Sequence, residues 1–152
     1  MEKKIVVLID SSGSFFENGK RGLQTYLIDA IYHASKTIFH QEAEISFFTW
    51  AESVIPYEPY EKINFGGNAN LDSFREWLLK IEEHTEIILL SDGNFRSEPD
   101  DLYLLAKNRN IRIIAFAVGA DASRGTLALF SEWHKVQNPD SVLNVIRKLC
   151  CN

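Results

Sequence analysis

Three short polar stretches of this chain carry the residue types that could do chemistry. The first is Asp10-Ser11-Ser12-Gly13-Ser14, one carboxylate and three hydroxyls directly after the apolar run Ile5-Val6-Val7-Leu8-Ile9. The second is Phe65-Gly66-Gly67-Asn68-Ala69-Asn70, which adds two amides, and the third is Ser91-Asp92-Gly93, a second carboxylate after the apolar stretch that ends at Leu90. Carboxylates, hydroxyls and an amide form an oxygen-rich donor set, which suits a hard cation such as Mg²⁺ with near-octahedral geometry and retained waters. No cysteine lies near these stretches and no two histidines are spaced as a ligand pair, so zinc is disfavoured.

The elements that must position these residues follow from apolar periodicity. Ile5 to Ile9 is continuous and β-branched, as in a central strand buried on both faces. Leu23, Tyr26, Leu27, Ala30, Ile31, Ala34 and Ile38 recur at helical spacing, predicting a helix over about 22–39. Strands are expected at 44–49 and 51–57, joined as a hairpin, with Pro56 and Pro59 suited to a sheet edge. A helix over 71–83, a doubly buried strand at 86–90 and a short helix over 100–108 follow. Then come a strand at 111–118, a short helix at 123–130, a strand at 133–137 and a helix from Pro139 to about Leu149. The alternation predicts an α/β fold: a doubly wound, mostly parallel sheet with one antiparallel edge strand and helices on both faces. Sites in such sheets form beyond the carboxyl ends of the strands, near the switch in strand order. If the strands at 5–9 and 86–90 are neighbours, their ends bring Asp10 and Asp92 together.

Taken in this context, the sequence resembles the von Willebrand factor A domains. Asp10-Ser11-Ser12-Gly13-Ser14 matches the family's D-x-S-x-S motif, Gly66-Gly67 resembles its second loop, and Leu90-Ser91-Asp92-Gly93 its third. Ala117-Val118-Gly119-Ala120 is similar to the end of the next strand. The resemblance spans nearly the whole chain and implies a Rossmann-like fold with a metal-ion-dependent adhesion site (MIDAS). It implies that Ser12 and Ser14 bind Mg²⁺ directly, with Mn²⁺ or Ca²⁺ as alternatives, and that Asp10 and Asp92 act through water. A Thr normally follows the double glycine; here Asn68 stands in its place, so the second loop binds directly, binds through water, or passes the role to Asn70. The implied metal set is Asp10, Ser12, Ser14, Asn68 and Asp92. The implied activity is binding, with a partner's Glu or Asp completing the metal shell. Intracellular members of the family often work with AAA+ ATPases or in multi-protein systems, so a protein partner of that kind is expected.

Size and composition bound the alternatives. A chain of 152 residues with 45% apolar and 24% charged residues fits a single domain over 1–152 with an ordinary core. A net charge of −5 without charge runs argues against nucleic acid or an anionic membrane as partner, because both call for a basic face. The start, Met1-Glu2-Lys3-Lys4, leads straight into a strand whose apolar run is too short for a signal peptide or a membrane span. The two cysteines, Cys150 and Cys151, are adjacent and poorly placed to pair with each other. The expectation is a cytoplasmic protein with an exposed tail of reduced thiols in Cys150-Cys151-Asn152.

Plainer readings exist for each feature. Asp10 could simply close its own turn, Gly66-Gly67 could be only a turn, and Asn68 could cap a helix. His33, His40, His84 and His134 lie on separate elements and are read as non-functional, and Asp121 as structural. Phe15, Phe16 and Phe95 would flank the metal edge as a partner-binding rim, unless Phe15 or Phe16 packs beneath the first helix. Two other functions compete with the binding module. One is a metal-dependent hydrolase, such as a nuclease of PIN-like α/β fold, which calls for more carboxylates than Asp10 and Asp92. Asp29 and Asp72 fall inside helices, and no P-loop or nucleophile elbow is present, so the chain is read as a non-enzyme. The other is a structural A-type domain with a degenerate metal site.

Overall fold

A computed structural model describes residues 3–17, 19–136 and 138–151. Its six strands are β1 (Lys3–Asp10), β2 (Ala43–Trp50), β3 (Val54–Pro56), β4 (Glu86–Ser91), β5 (Arg112–Ala117) and β6 (Glu132–Lys135). Its helices are α1 (Lys20–Lys36), α2 (Leu71–Lys80), α3 (Leu102–Asn108), α4 (Arg124–Ala128) and α5 (Pro139–Cys150), with a single 3₁₀ turn at Gly13–Phe16. The expected starts and ends on Met1, Glu2, Gln137 and Asn152 lie outside the described residues. The other expected elements are all present, most of them shifted by one to three residues at their ends.

The sheet order is β3-β2-β1-β4-β5-β6, parallel throughout except for the β2–β3 pair. This is the anticipated doubly wound sheet with one antiparallel edge strand. Alternation along β1 explains its two-sided burial. Ile5, Val7 and Ile9 enter a core with Leu27, Ile28 and Ile31 of α1 and Val142 and Ile146 of α5. Val6 and Leu8 point the other way, into a core with Phe74 and Leu78 of α2 and Leu102 of α3. Both faces of β1 are thus covered by helices, which is why its sequence is continuously apolar rather than alternating. The chain leaves β1 toward β2 on one side, while β4 pairs on the other. The switch in strand order therefore falls between β1 and β4, where Asp10 and Asp92 emerge.

Local signals set the helix starts. Asn70 caps α2 by accepting the Ser73 N–H at 3.0 Å, and Asn138 caps α5 by accepting the Ser141 N–H at 3.3 Å, with Pro139 in the first turn. Helix α1 begins earlier than expected, at Lys20 after Gly19 (φ 71°); Lys20 is polar yet fully buried and so escapes an apolar-periodicity count. Cys150 closes α5 half-buried and Cys151 is exposed, both as free thiols. Among the described residues no helix is long and apolar enough to cross a membrane.

Candidate metal centre

The first and second polar loops are tied by their backbones. Ser11 N–H donates to the Trp50 carbonyl at 2.8 Å, Gly66 N–H to the Ser11 carbonyl at 2.9 Å, and Gly13 N–H to the Gly67 carbonyl at 2.8 Å. The third loop is tied to the segment that follows β5: Val118 N–H donates to the Ser91 carbonyl and Ser123 N–H to the Asp92 carbonyl. Gln24 of α1 spans the switch point from beneath, its Nε2 donating to the carbonyls of Asp10 and Leu90 at 3.0 and 2.9 Å. The three loops foreseen as one edge are therefore one surface.

Asp10 is fully buried. One carboxylate oxygen accepts the Ser12 N–H at 3.0 Å and the other the Ser91 hydroxyl at 2.7 Å. Burial, and next the charge of Asp92, push its carboxyl up to about 6, against the donors that favour the anion. Asp92 is also fully buried. Its Oδ1 accepts the Asn94 N–H at 3.0 Å and its Oδ2 the Lys20 ammonium at 2.9 Å. The Ser12 and Ser14 hydroxyl oxygens lie 3.1 Å apart and share a hydrogen bond. Adjacent oxygens on an octahedral ion with 2.0–2.1 Å bonds stand roughly 3 Å apart, so this pair has the spacing such an ion needs. A buried carboxyl short of positive charge beside a converging hydroxyl pair fits a hard divalent ion. Among the described residues no group of three or more His, Cys, Asp or Glu is placed to hold a metal. Any metal site here rests on the hydroxyls as well as the acids.

The second loop differs from expectation. Asn68 is half-buried, with its backbone N–H donating to Glu52 Oε1 at 2.9 Å and its side-chain amide reaching the same oxygen at 3.4 Å. Its amide group faces Glu52, an exposed acid that sequence reading did not single out. Asn70, the alternative, caps α2 through its Oδ1, and its carbonyl accepts the Trp50 indole N–H at 2.9 Å. The helix cap is thus Asn70, not Asn68. The aromatic rim also shrinks. Phe15 is fully buried and stacked on Phe65, and Phe95 packs between Trp50 and Phe130. Of the three, only Phe16 is exposed, with the Arg21 guanidinium over its ring at 5.5 Å.

Lys20 went unrecognised in the sequence. Lys20 is wholly buried, and its ammonium reaches both Asp92 and Asp121, the latter at 3.0 Å. Burial alone would lower its pKa, but the hydrogen bonds and charges of the two carboxylates outweigh this and raise it. Asp121, read as structural, is the second carboxylate on that ammonium. A lone lysine at the start of an amphipathic helix carries no sequence signal for burial. Asp29 and Asp72, the other acids weighed for the site, are exposed on α1 and α2, where Asp72 pairs with Arg75.

No protein-family profile matches the chain, and no curated protein matches it in sequence. Solved structures do resemble it. Proximal thread matrix protein 1 of the mussel byssus superposes over 99% of this chain with a TM-score of 0.76 at 14% identity. The chain spans about half of that protein, 48% of its length. Another structure of the same mussel protein has a zinc-occupied MIDAS motif, with a TM-score of 0.64 over 98% of this chain and 45% of that one, at 15% identity. The manganese-loaded TRAP protein of Plasmodium vivax gives 0.69 at 11% identity, covering 98% of this chain and 73% of that one. A von Willebrand factor type A structure from Catenulispora acidiphila gives 0.59 at 14% identity, over 98% of this chain and 42% of that one. The fold is therefore of the von Willebrand factor A type.

Proposed function

We propose that this chain is a metal-dependent protein-interaction module. Its top edge would hold one divalent ion, Mg²⁺ or Mn²⁺, through the hydroxyls of Ser12 and Ser14. Asp10 and Asp92 would supply negative charge behind them. When bound, the ion would offer an electrophilic position to a carboxylate oxygen of a partner protein. The chain's own part is to present two aligned hydroxyls on backbone-tied loops and to bury Asp10 so that its charge is little screened by water. The observation that carries the reading is the 3.1 Å Ser12–Ser14 hydroxyl pair on the same edge as a buried carboxyl raised to about 6. Zinc and manganese in A-type relatives of low identity support it by analogy of fold.

Calorimetric titration of metal-stripped protein with Mg²⁺ and Mn²⁺ tests it. One site is expected, lost in Asp10→Ala while circular dichroism shows the fold kept. No uptake by the intact protein would overturn it and leave a structural A-type domain, a reading favoured by the engagement of Asn68 with Glu52. Metal-stimulated cleavage of single-stranded nucleic acid, abolished by Asp92→Asn, would instead make the chain a hydrolase.

A further inference from the structure

We infer that Lys20 is a resident counter-cation of this site, holding the third loop assembled without a metal and limiting how tightly the site takes a divalent ion. The inference rests on the metal-binding reading above. Lysine is almost never fully buried unless paired, and Lys20 has no exposed surface. Its ammonium joins three separate pieces of chain: the first residue of α1, Asp92 after β4 and Asp121 after β5. The Phe15 ring, 5.7 Å from the ammonium, closes another side.

The space for this side chain is built. A Cβ on Gly119 would stand 2.5 Å from Lys20 Cδ and 2.6 Å from its Cγ. Only a glycine leaves a channel for the lysine stem at that point, and the φ of +96° is a further reason for glycine there. The signature Val118-Gly119-Ala120 thus has a local purpose: it lets the stem pass to the two acids.

The consequence for metal follows from charge. Two carboxylates, Asp92 and Asp121, share the Lys20 ammonium, while the carboxylate of Asp10 accepts from the Ser12 N–H and the Ser91 hydroxyl. Each oxygen of Asp92 already accepts one hydrogen bond, Oδ1 from the Asn94 N–H and Oδ2 from Lys20. A divalent ion drawn to Ser12 and Ser14 would meet a neighbouring carboxylate already neutralised by a fixed positive charge. Lys20 therefore stabilises the metal-free protein and opposes the metal-bound one.

The test uses the whole chain as Lys20→Met and Lys20→Gln, the latter keeping an N–H donor should the methionine variant fail to fold. Mg²⁺ and Mn²⁺ affinities are measured by calorimetry, and thermal midpoints in EDTA and in excess Mg²⁺. Both variants are expected to bind Mg²⁺ at least tenfold more tightly than the native chain. Their midpoints should fall in EDTA and recover largely in Mg²⁺, with a smaller Mg²⁺ response in the native protein. If the native chain takes no metal but the variants do, Lys20 excludes it, so the inference holds while the metal-dependent function of the native chain falls. Native binding matched or exceeded by neither variant beyond error overturns the inference and leaves the function standing. Absence of binding in all three overturns both, and variants that stay unfolded even in excess Mg²⁺ overturn the inference.

Discussion

Asp10→Asn is expected to make the metal-free protein more stable at pH 8, although it removes a residue at the centre of the site. The carboxyl of Asp10 is raised from its ordinary 3.8 to about 6 by burial and by Asp92. At about 1.36 kcal/mol per pKa unit, a rise of about two units means that the folded state carries a penalty of roughly 3 kcal/mol when Asp10 is ionised. Between pH 4 and 6 the folded chain binds a proton that the unfolded chain has released. The stability tied to that proton is fully present below about pH 4 and lost as pH rises through 6. Asparagine removes the ionisation. Its Oδ1 can still accept the Ser12 N–H, while its Nδ2 would face the Ser91 hydroxyl, which now donates to Asp10 and accepts the Gly93 N–H. Turning that hydroxyl costs about 1 kcal/mol, the worth of one hydrogen bond. The net gain at pH 8 is about 1–2 kcal/mol. Urea denaturation in EDTA at pH 8 and pH 5, compared between the two proteins, measures it. The native chain should gain on the variant as pH falls toward 5. A variant less stable than the native chain at pH 8, or a difference independent of pH, would refute the account of Asp10 as an under-compensated buried acid.

Two further substitutions test the frame of the site. Gly119→Ala puts a methyl against the Lys20 stem at a φ of +96°, and should cost about 2–4 kcal/mol in urea denaturation, combining backbone strain with displacement of a buried ion pair. A loss under 1 kcal/mol would mean that the lysine channel is not rigid. Asn70→Ala removes the cap of α2 and should cost about 1 kcal/mol while leaving divalent-ion uptake unchanged in calorimetry. A loss of uptake would return Asn70 to the ligand set.

The fold was legible because it rests on strong local signals. The doubly buried strands β1, β4 and β5 read as continuous apolar runs, and the polar loops after β1 and β4 carry their residues in short contiguous motifs. The edge strand β3 was legible from Pro56 and its short hairpin. The site was legible only as far as sequence neighbours reach. Asp10, Ser12 and Ser14 share one loop, whereas the partners of Asn68 and Asp92 come from elsewhere. Glu52 meets Asn68 across the edge, and Lys20 reaches Asp92 from a position 72 residues away. Such long-range pairing leaves no periodicity to read. The aromatic rim failed for a related reason. Phe15 and Phe95 each find partners, Phe65 and Trp50, on segments far away in the chain, so position beside the motif did not mean exposure.

The two acids at the switch point are equally buried but differently compensated, and that difference orders the chemistry of the edge. Asp92 has an ammonium on one oxygen and a backbone N–H on the other, so its charge is answered within the protein. Among the described residues the donors to Asp10 are neutral, from Ser12 and from the Ser91 hydroxyl. It is thus Asp10, not Asp92, that remains short of a cation. Under the proposed function, an ion approaching the Ser12–Ser14 pair would gain most from Asp10, and below about pH 6 it would first have to displace a proton there. Asp92, locked to Lys20, instead keeps the third loop in place whether or not a cation arrives. Under the proposed function both acids would lend charge to an ion, Asp10 more fully than Asp92, whose charge is shared with Lys20, an asymmetry that the matching Asp-Ser and Ser-Asp loop motifs do not disclose.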